Sequence, residues 1–194
     1  RPEPQFVPGG AGVKPARRLA LCAIFAAAAL TIFVLEAQIP LPFTAPGMKL
    51  SLSNLITLYA LFALGWKEAL SVLLVRIVLG NVFAGNLMAV AYSLAGGLLS
   101  FAVMALLRRV VTNKQGWVCG TAGGIAHNLG QLGAAALISE TPGLLAYLPA
   151  LILFGMAAGA FTGLCAQLLL EWVRIKWENW NEPSGFCKTA NTPA

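Results

Sequence analysis

The chain has 194 residues, of which 58% are hydrophobic and only 10% are charged. A soluble domain carries roughly 25% charged residues, so this chain lacks the polar groups to cover a water-facing surface, and we expect a membrane protein. The composition excludes a cytosolic enzyme, a disordered regulator and a nucleic-acid-binding protein, despite the net charge of +6.

Six apolar segments follow one another along the chain, and a membrane-spanning helix needs about 20 such residues. The second and third segments are short and polar for lipid-facing helices, so we expect them to be sheltered inside a bundle. The sequence therefore predicts an all-α integral membrane protein, a bundle of six transmembrane helices. The predicted spans are 18–37, 50–65, 69–84, 87–107, 117–138 and 147–173.

The two ends of the chain differ in composition from the predicted bundle. Residues 1–16 are rich in Pro and Gly and predict a flexible leader ahead of a membrane domain over 17–173. Residues 174–194 predict a tail that is interfacial and then disordered. Trp172, Trp177 and Trp180 stand beside basic residues there, which is typical of an interfacial anchor and equally of a frayed helix end.

The basic residues are distributed unevenly across the predicted membrane. All but two of the 13 lysines and arginines flank one side; Lys49 lies on the other side and Arg76 lies inside a span. Because basic residues concentrate on the cytoplasmic side, both termini are predicted to be cytoplasmic. The loop that follows the first span then faces outward, and Pro40, Pro42 and Pro46 would make it a stiff flap or a plain connector.

Small residues recur at a spacing of four in the fifth and sixth segments, which places them on one helix face and permits close backbone approach. This pattern indicates helix packing, either inside the chain or with another membrane protein. Helix 1 repeats it more weakly with Ala23, Ala26 and Ala27. The glycines of the two ladders are Gly116, Gly120, Gly124, Gly155, Gly159 and Gly163.

Polar residues inside a membrane are costly, and each one is a candidate for function. At 1.5 Å per residue, Arg76 and His127 fall roughly 14 to 15 Å deep in helices 3 and 5, near the midplane. We expect the polar set to outline a cavity that opens outward and favours an anionic or strongly polar ligand. The predicted lining residues are Glu36, Lys49, Ser51, Asn54, Arg76, Asn81, Asn86, His127, Asn128 and Gln131.

A purely structural interpretation of the same residues stays open. Arg76 could pair with Glu36, and His127 could hydrogen-bond a neighbouring carbonyl to fix the helix packing. No catalytic residue, cofactor or metal is predicted. All seven acidic residues are glutamates, so the chain has no aspartate cluster for magnesium, and the four cysteines are too far apart in sequence to indicate a zinc site.

Three segments carry a resemblance to a known family: PGMKLSLSNLITLYALFALGWKEAL, LLVRIVLGNVFAGN and GGIAHNLGQLGAA. Over residues 18–173 the chain resembles the Gx transporter family, also described as heptaprenyl diphosphate synthase component I. That family in turn is similar to the substrate-binding S components of energy-coupling factor (ECF) transporters. The resemblance implies a multi-pass protein of a bacterial cell membrane.

The likeness to S components implies a protein that binds a small solute from outside and topples in the membrane to deliver it. It would dock onto a transmembrane T component powered by two cytoplasmic ATPases, with Ala23 and Ala27 matching the docking face. The description of the family as a component of heptaprenyl diphosphate synthase implies a different role. Because prenyl diphosphate synthases bind magnesium through aspartates that this chain lacks, it would be a non-catalytic accessory subunit in prenyl diphosphate or quinone metabolism. A structural subunit of a larger membrane complex is the third possibility.

Overall fold

The computed structural model describes residues 15–38, 52–85, 87–111 and 115–181, and within them it contains helices and turns but no strand. The all-helical prediction is confirmed. A 3-10 helix, Pro142–Tyr147, precedes the last α-helix. The α-helices are α1 (Pro15–Ala37), α2 (Asn54–Ala63), α3 (Trp66–Phe83), α4 (Leu87–Leu107), α5 (Gly116–Ile138) and α6 (Leu148–Asn181).

Three stretches of the described chain are long and apolar enough to cross a bilayer: Pro15–Glu36, Met88–Leu107 and Pro142–Lys176. They support a membrane protein. The other three helices fall short for different reasons. α2 has only 10 residues, α3 contains Lys67, Glu68 and Arg76, and α5 is rich in glycine and polar side chains.

Helix α2 lies in the centre of the bundle. Its 10 residues extend only about 15 Å, half the thickness of a bilayer core. It packs against α1, α3, α5 and α6, and Ile56 through Ala63 are all buried. The second segment is therefore sheltered as expected, since every residue of α2 except the partly exposed Leu55 is buried.

Helix α3, the third segment, is buried on one face only, so the expected shelter holds for that face and not for the whole helix. Its neighbours are α1, α2 and α4, and the single charged residue in its middle, Arg76, points to the buried side. The opposite face is apolar and exposed, as suits contact with lipid. Buried positions include Ala69, Val72, Leu73, Arg76, Ile77 and Gly80, whereas Leu74, Val75, Val78, Leu79 and Val82 are exposed.

The remaining contacts arrange α1, α3, α4, α5 and α6 in that order around α2. α5 packs most extensively of all, with α4 on one side and α6 on the other. The α5–α6 contact depends on glycine, because a Cβ built on Gly155 would lie 2.9 Å from the carbonyl oxygen of Gly124 and one on Gly163 would lie 2.6 Å from the Cα of Trp117. The two glycine ladders thus face each other inside the chain.

The basic side chains gather at one end of the bundle, called here the basic end. Arg18 of α1 lies 3.5 Å from the Glu68 carboxylate of α3, and the guanidinium of Arg108 lies 5.8 Å from the ring centre of Phe62. Partial burial lowers the pKa of Arg108, which follows the last residue of α4. The other described members, apart from Arg76 inside the bundle, are Arg17, Lys67, Arg109, Arg174 and Lys176.

Exposed tryptophans mark the same end. Trp66, Trp117 and Trp172 are each about half exposed. Lys67 and Lys176 lie over the rings of Trp66 and Trp172, with ammonium-to-centroid distances of 5.6 and 5.5 Å. Amphipathic aromatic rings with neighbouring cations are typical of the boundary between lipid and water.

Helix α6 extends well past its predicted end at residue 173. It has 34 residues, or about 51 Å, against roughly 30 Å of hydrocarbon core. The chain from Glu171 to Asn181 contains no Pro or Gly to end the helix, and Lys176 stacks on Trp172 one turn earlier. The sequence-based boundary followed the apolar run, whereas the helix continues through polar residues.

We predict that Gly124→Ala destabilises the protein by roughly 1 to 3 kcal/mol, because the new methyl group would overlap the backbone of Gly155. Gly133→Ala is the matched control in the same helix, since a Cβ there meets nothing within 4 Å. The control should be neutral or stabilising by up to about 1 kcal/mol. Thermal unfolding of the purified variants in detergent checks both. Equal midpoints for the two variants would contradict the glycine contact.

Candidate binding site

Arg76 is the centre of the candidate site. Its side chain is 3% exposed and lies in the middle of α3. One terminal nitrogen donates a hydrogen bond to the hydroxyl of Ser53, and the other donates to Oδ1 of Asn54 over 3.3 Å. Both acceptors stand at the N-terminus of α2, which α3 places beside the guanidinium.

A second electrostatic partner comes from α1. Glu36, near the end of that helix, is 6% exposed and interacts electrostatically with Arg76. The buried face of α1 brings it there, because Ala29 and Phe33 pack inward at helical spacing and the Phe33 ring lies against Gly80 of α3. The structure therefore unites residues from three helices around one buried cation: Glu36, Ser53, Asn54 and Arg76.

These contacts explain how a charge can stand inside the bundle. Insertion scales put the cost of an arginine at the centre of a membrane helix at about 2.5 to 3.5 kcal/mol, and partners offset it. Two oxygen acceptors and one carboxylate supply those partners here. Glu36 thus acts on Arg76 electrostatically, whereas a direct pairing of the two side chains stays a prediction.

Asn54 connects the Arg76 cluster to the interior of the bundle. Its amide nitrogen is buried and has no hydrogen-bond partner among the described residues, and the residue lines a small cavity between α2, α4, α5 and α6. The cavity has space for about one water molecule, to which the amide could donate. Its other lining residues are Leu58, Met104, Gly120, Gly123, Gly124, Gly159 and Thr162.

The polar residues of α5 lie on a different side of the bundle. His127, Asn128 and Gln131 are all buried. Asn128 donates to the carbonyl oxygen of Leu151 over 2.9 Å and so joins α5 to α6. The backbone of His127 and the side chain of Gln131 lie against Gly96 of α4.

Arg76 and His127 belong to helices that make no extended contact with each other. α2 contacts both helices, and α4 packs between them on the other side. That the two side chains line one cavity stays a prediction.

The remaining predicted lining residues are less informative. Asn81 is fully buried and donates to the carbonyl oxygen of Ile77 in its own helix over 2.8 Å. Lys49, Ser51 and Asn86 lie outside the described residues.

Sequence reasoning missed Ser53, although it bears directly on the site. Ser53 directly precedes α2 with helical backbone angles (φ −63°, ψ −15°) and makes no side-chain capping hydrogen bond, and its hydroxyl accepts from Arg76. A serine directly before an apolar helical run is the usual sign of an N-cap. That pattern in SLSNLITLYA could have identified it.

The two alanines predicted as a docking face are exposed. Ala23 and Ala27 lie on the side of α1 that faces away from α2 and α3, opposite Ala29 and Phe33. Ala16 and Ala20 continue the same exposed stripe toward the basic end. A helix or a lipid chain could therefore approach the α1 backbone closely along this line.

Comparison with known proteins agrees with the resemblance seen in the sequence. A family model described as heptaprenyl diphosphate synthase component I matches residues 25–169. The chain belongs to this family. Neither a curated protein nor a solved structure matches it.

The family match covers the candidate site completely. It begins within α1 and ends within α6, so it includes the Arg76 cluster and the glycine contacts and stops before the polar extension of α6. The family is named as a component of a synthase. Among the described residues no group of three His, Cys, Asp or Glu side chains could hold a metal ion, and the arrangement around Arg76 is suited to holding a negatively charged group.

Proposed function

We propose that this member of the component I family is a non-catalytic, substrate-binding membrane component of an ECF-type uptake transporter. It binds a small polar or anionic solute from the outer side of the membrane. The observation that carries the proposal is the buried Arg76, held by Ser53 and Asn54 at the N-terminus of a half-length helix. A polar centre of this kind within a bundle is costly, which favours a role in ligand binding over a role in packing alone.

The proposed binding site takes in the whole predicted polar set. Glu36, Asn54 and Arg76 form its core, and Asn81, His127, Asn128 and Gln131 lie buried on α3 and α5. Lys49, Ser51 and Asn86 are included on sequence grounds. We expect Lys49 to add positive charge at the outer entrance, because it is the only basic residue predicted on that side.

The proposed topology has six crossings, with the basic end and both termini in the cytoplasm. The concentration of basic side chains and exposed tryptophans at that end supports it. A cysteine introduced at Thr112 should react with a membrane-impermeant thiol reagent only after the cells are opened, whereas Thr44→Cys should react in intact cells. Labelling of Thr112→Cys in intact cells would overturn the topology.

The proposed partners are a transmembrane T component and two cytoplasmic ATPases. The exposed alanine stripe of α1 supports this docking, because it leaves a close-approach surface that the described part of the chain does not cover. Glu36, which acts electrostatically on Arg76, is buried on the opposite face of the same helix. Docking and ligand binding therefore involve two faces of α1.

We predict that Ala27→Trp abolishes copurification with the T component and abolishes uptake, because the indole would hold the partner helix away. Ala102→Trp, at an exposed position of α4, is the matched control and should leave both unchanged. Pull-down from membranes with quantification of the T component and the ATPases checks this. Normal recovery of the T component with Ala27→Trp would show that the docking face lies elsewhere.

A second candidate function is that of an accessory membrane subunit in prenyl diphosphate or quinone metabolism, which the family description favours. The third candidate is a structural subunit of a larger complex. It has less support, because the glycine ladders that favoured it pack against each other within the chain. The same pull-down separates the candidates. A prenyl synthase subunit recovered in place of the ATPases would favour the accessory role.

A further inference from the structure

The basic end extends around the whole bundle and is not confined to one side. Every helix around α2 except α5 carries basic residues at this end, and α5 carries the exposed Trp117 there. A single protein partner would contact one side of such an end, whereas the surrounding lipid contacts every side. The basic residues are Arg17 and Arg18 of α1, Lys67 of α3, Arg108 and Arg109 directly after α4, and Arg174 and Lys176 of α6.

The acidic side chains described at this end do not balance the basic ones. Glu68 lies 3.5 Å from Arg18, and Glu171 accepts a hydrogen bond from Gln167 over 3.3 Å. Several exposed cations make no ion pair within the described part of the chain, and their charge faces the surroundings of the protein. They are Arg17, Lys67, Arg109 and Lys176.

The two lysines among these cations are held where a lipid headgroup would begin. The ammonium groups of Lys67 and Lys176 lie 5.6 and 5.5 Å from the ring centres of Trp66 and Trp172, and both rings are about half exposed. Indole rings concentrate at the boundary between hydrocarbon and water, so the ammonium groups over them stand at headgroup level. Helix stability does not explain Lys67, because the helix dipole disfavours a cation in the first turn of α3.

We propose that the basic end binds anionic phospholipid headgroups in a ring around the bundle and selects them over zwitterionic lipid. The lipid phosphates accept hydrogen bonds from the exposed ammonium and guanidinium groups, and their net negative charge supplies the counter-charge. This surface is separate from Arg76, which is buried inside the bundle. The inference depends on membrane insertion alone and not on the proposed uptake role.

Tryptophan fluorescence can measure the lipid preference at this end, because every tryptophan of the chain lies in a helix segment there. The purified full chain is reconstituted into phosphatidylcholine vesicles in which brominated phosphatidylcholine or brominated phosphatidylglycerol replaces an increasing fraction of the lipid. Bromine quenches the fluorescence of rings that its lipid touches. A basic residue near a membrane surface attracts anionic lipid by a factor of about five. Averaged over all contacting lipids, we therefore expect phosphatidylglycerol to be preferred about twofold or more at low salt.

Neutralising variants on different helices distinguish a ring of lipid from one local site. Lys67→Gln, Arg109→Gln and Lys176→Gln should each lower the preference in part, and the triple variant should bring it close to one. Glu140→Gln is the matched control, because it changes the net charge by the same amount at the opposite end of the bundle, and it should leave the preference unchanged. Sodium chloride at about 1 M, where the Debye length is about 3 Å, should remove most of the preference of the unmutated chain.

Equal quenching by the two brominated lipids in the unmutated chain would overturn the proposal, and the basic residues would then serve only to orient the chain in the membrane. Loss of the whole preference in a single variant would also overturn it, in favour of one local lipid site. If the variants change ATPase recovery while no lipid preference exists, this end binds a protein partner instead. The salt experiment needs no variant, so it applies even where a variant fails to fold. The pull-down with Ala27→Trp tests the uptake role separately, so either proposal can fail without the other.

Discussion

A guanidinium in the interior of a membrane bundle must be surrounded by acceptors and by negative charge, and Arg76 meets that requirement by drawing on three helices. α3 carries the cation, α2 presents Ser53 and Asn54 at its first turn, and α1 supplies Glu36. α2 begins at the level of Arg76, where Ser53 and Asn54 accept from the guanidinium. The same requirement explains why the charged residue in the middle of α3 points inward while the outer face of that helix is apolar.

The bundle divides into two parts with different kinds of packing. α4, α5 and α6 are joined by backbone contacts at glycines, where an added methyl group would overlap a neighbouring chain. Close-packed backbones of this kind resist deformation. α1 has fewer neighbours, and its contacts include a ring against Gly80, the Phe25–Tyr59 pair at 5.3 Å and the Glu36 carboxylate. The contacts of α1 are thus made mainly by side chains, whereas those among α4, α5 and α6 bring backbones together.

Much of this arrangement could be predicted from the sequence, and the failures have physical causes. Both ends of α4 are as predicted, because the apolar run and the helix coincide there. The glycine spacing identified packing faces, and the depth of Arg76 identified a polar centre. The role of Ser53 did not follow from the depth of the polar residues, because Ser53 lies just before α2 and meets Arg76 only once α2 and α3 pack together. The end of α6 was missed because hydropathy reports lipid contact and not helical conformation. Which polar groups meet could not be predicted, because that depends on helix rotation and tilt.

A double-mutant cycle between Glu36 and Arg76 tests most directly whether the two residues organise the site together. The free energies of unfolding of Glu36→Gln, Arg76→Gln and the double variant are compared with that of the unmutated chain in the same detergent. An equivalent cycle on the exposed residues Glu140 and Arg109 serves as the control. Residues that share a network couple by roughly 1 to 3 kcal/mol, and we expect a stabilising coupling of that size between Glu36 and Arg76. Effects that add to within about 0.5 kcal/mol, as expected for the control pair, would contradict the buried cluster.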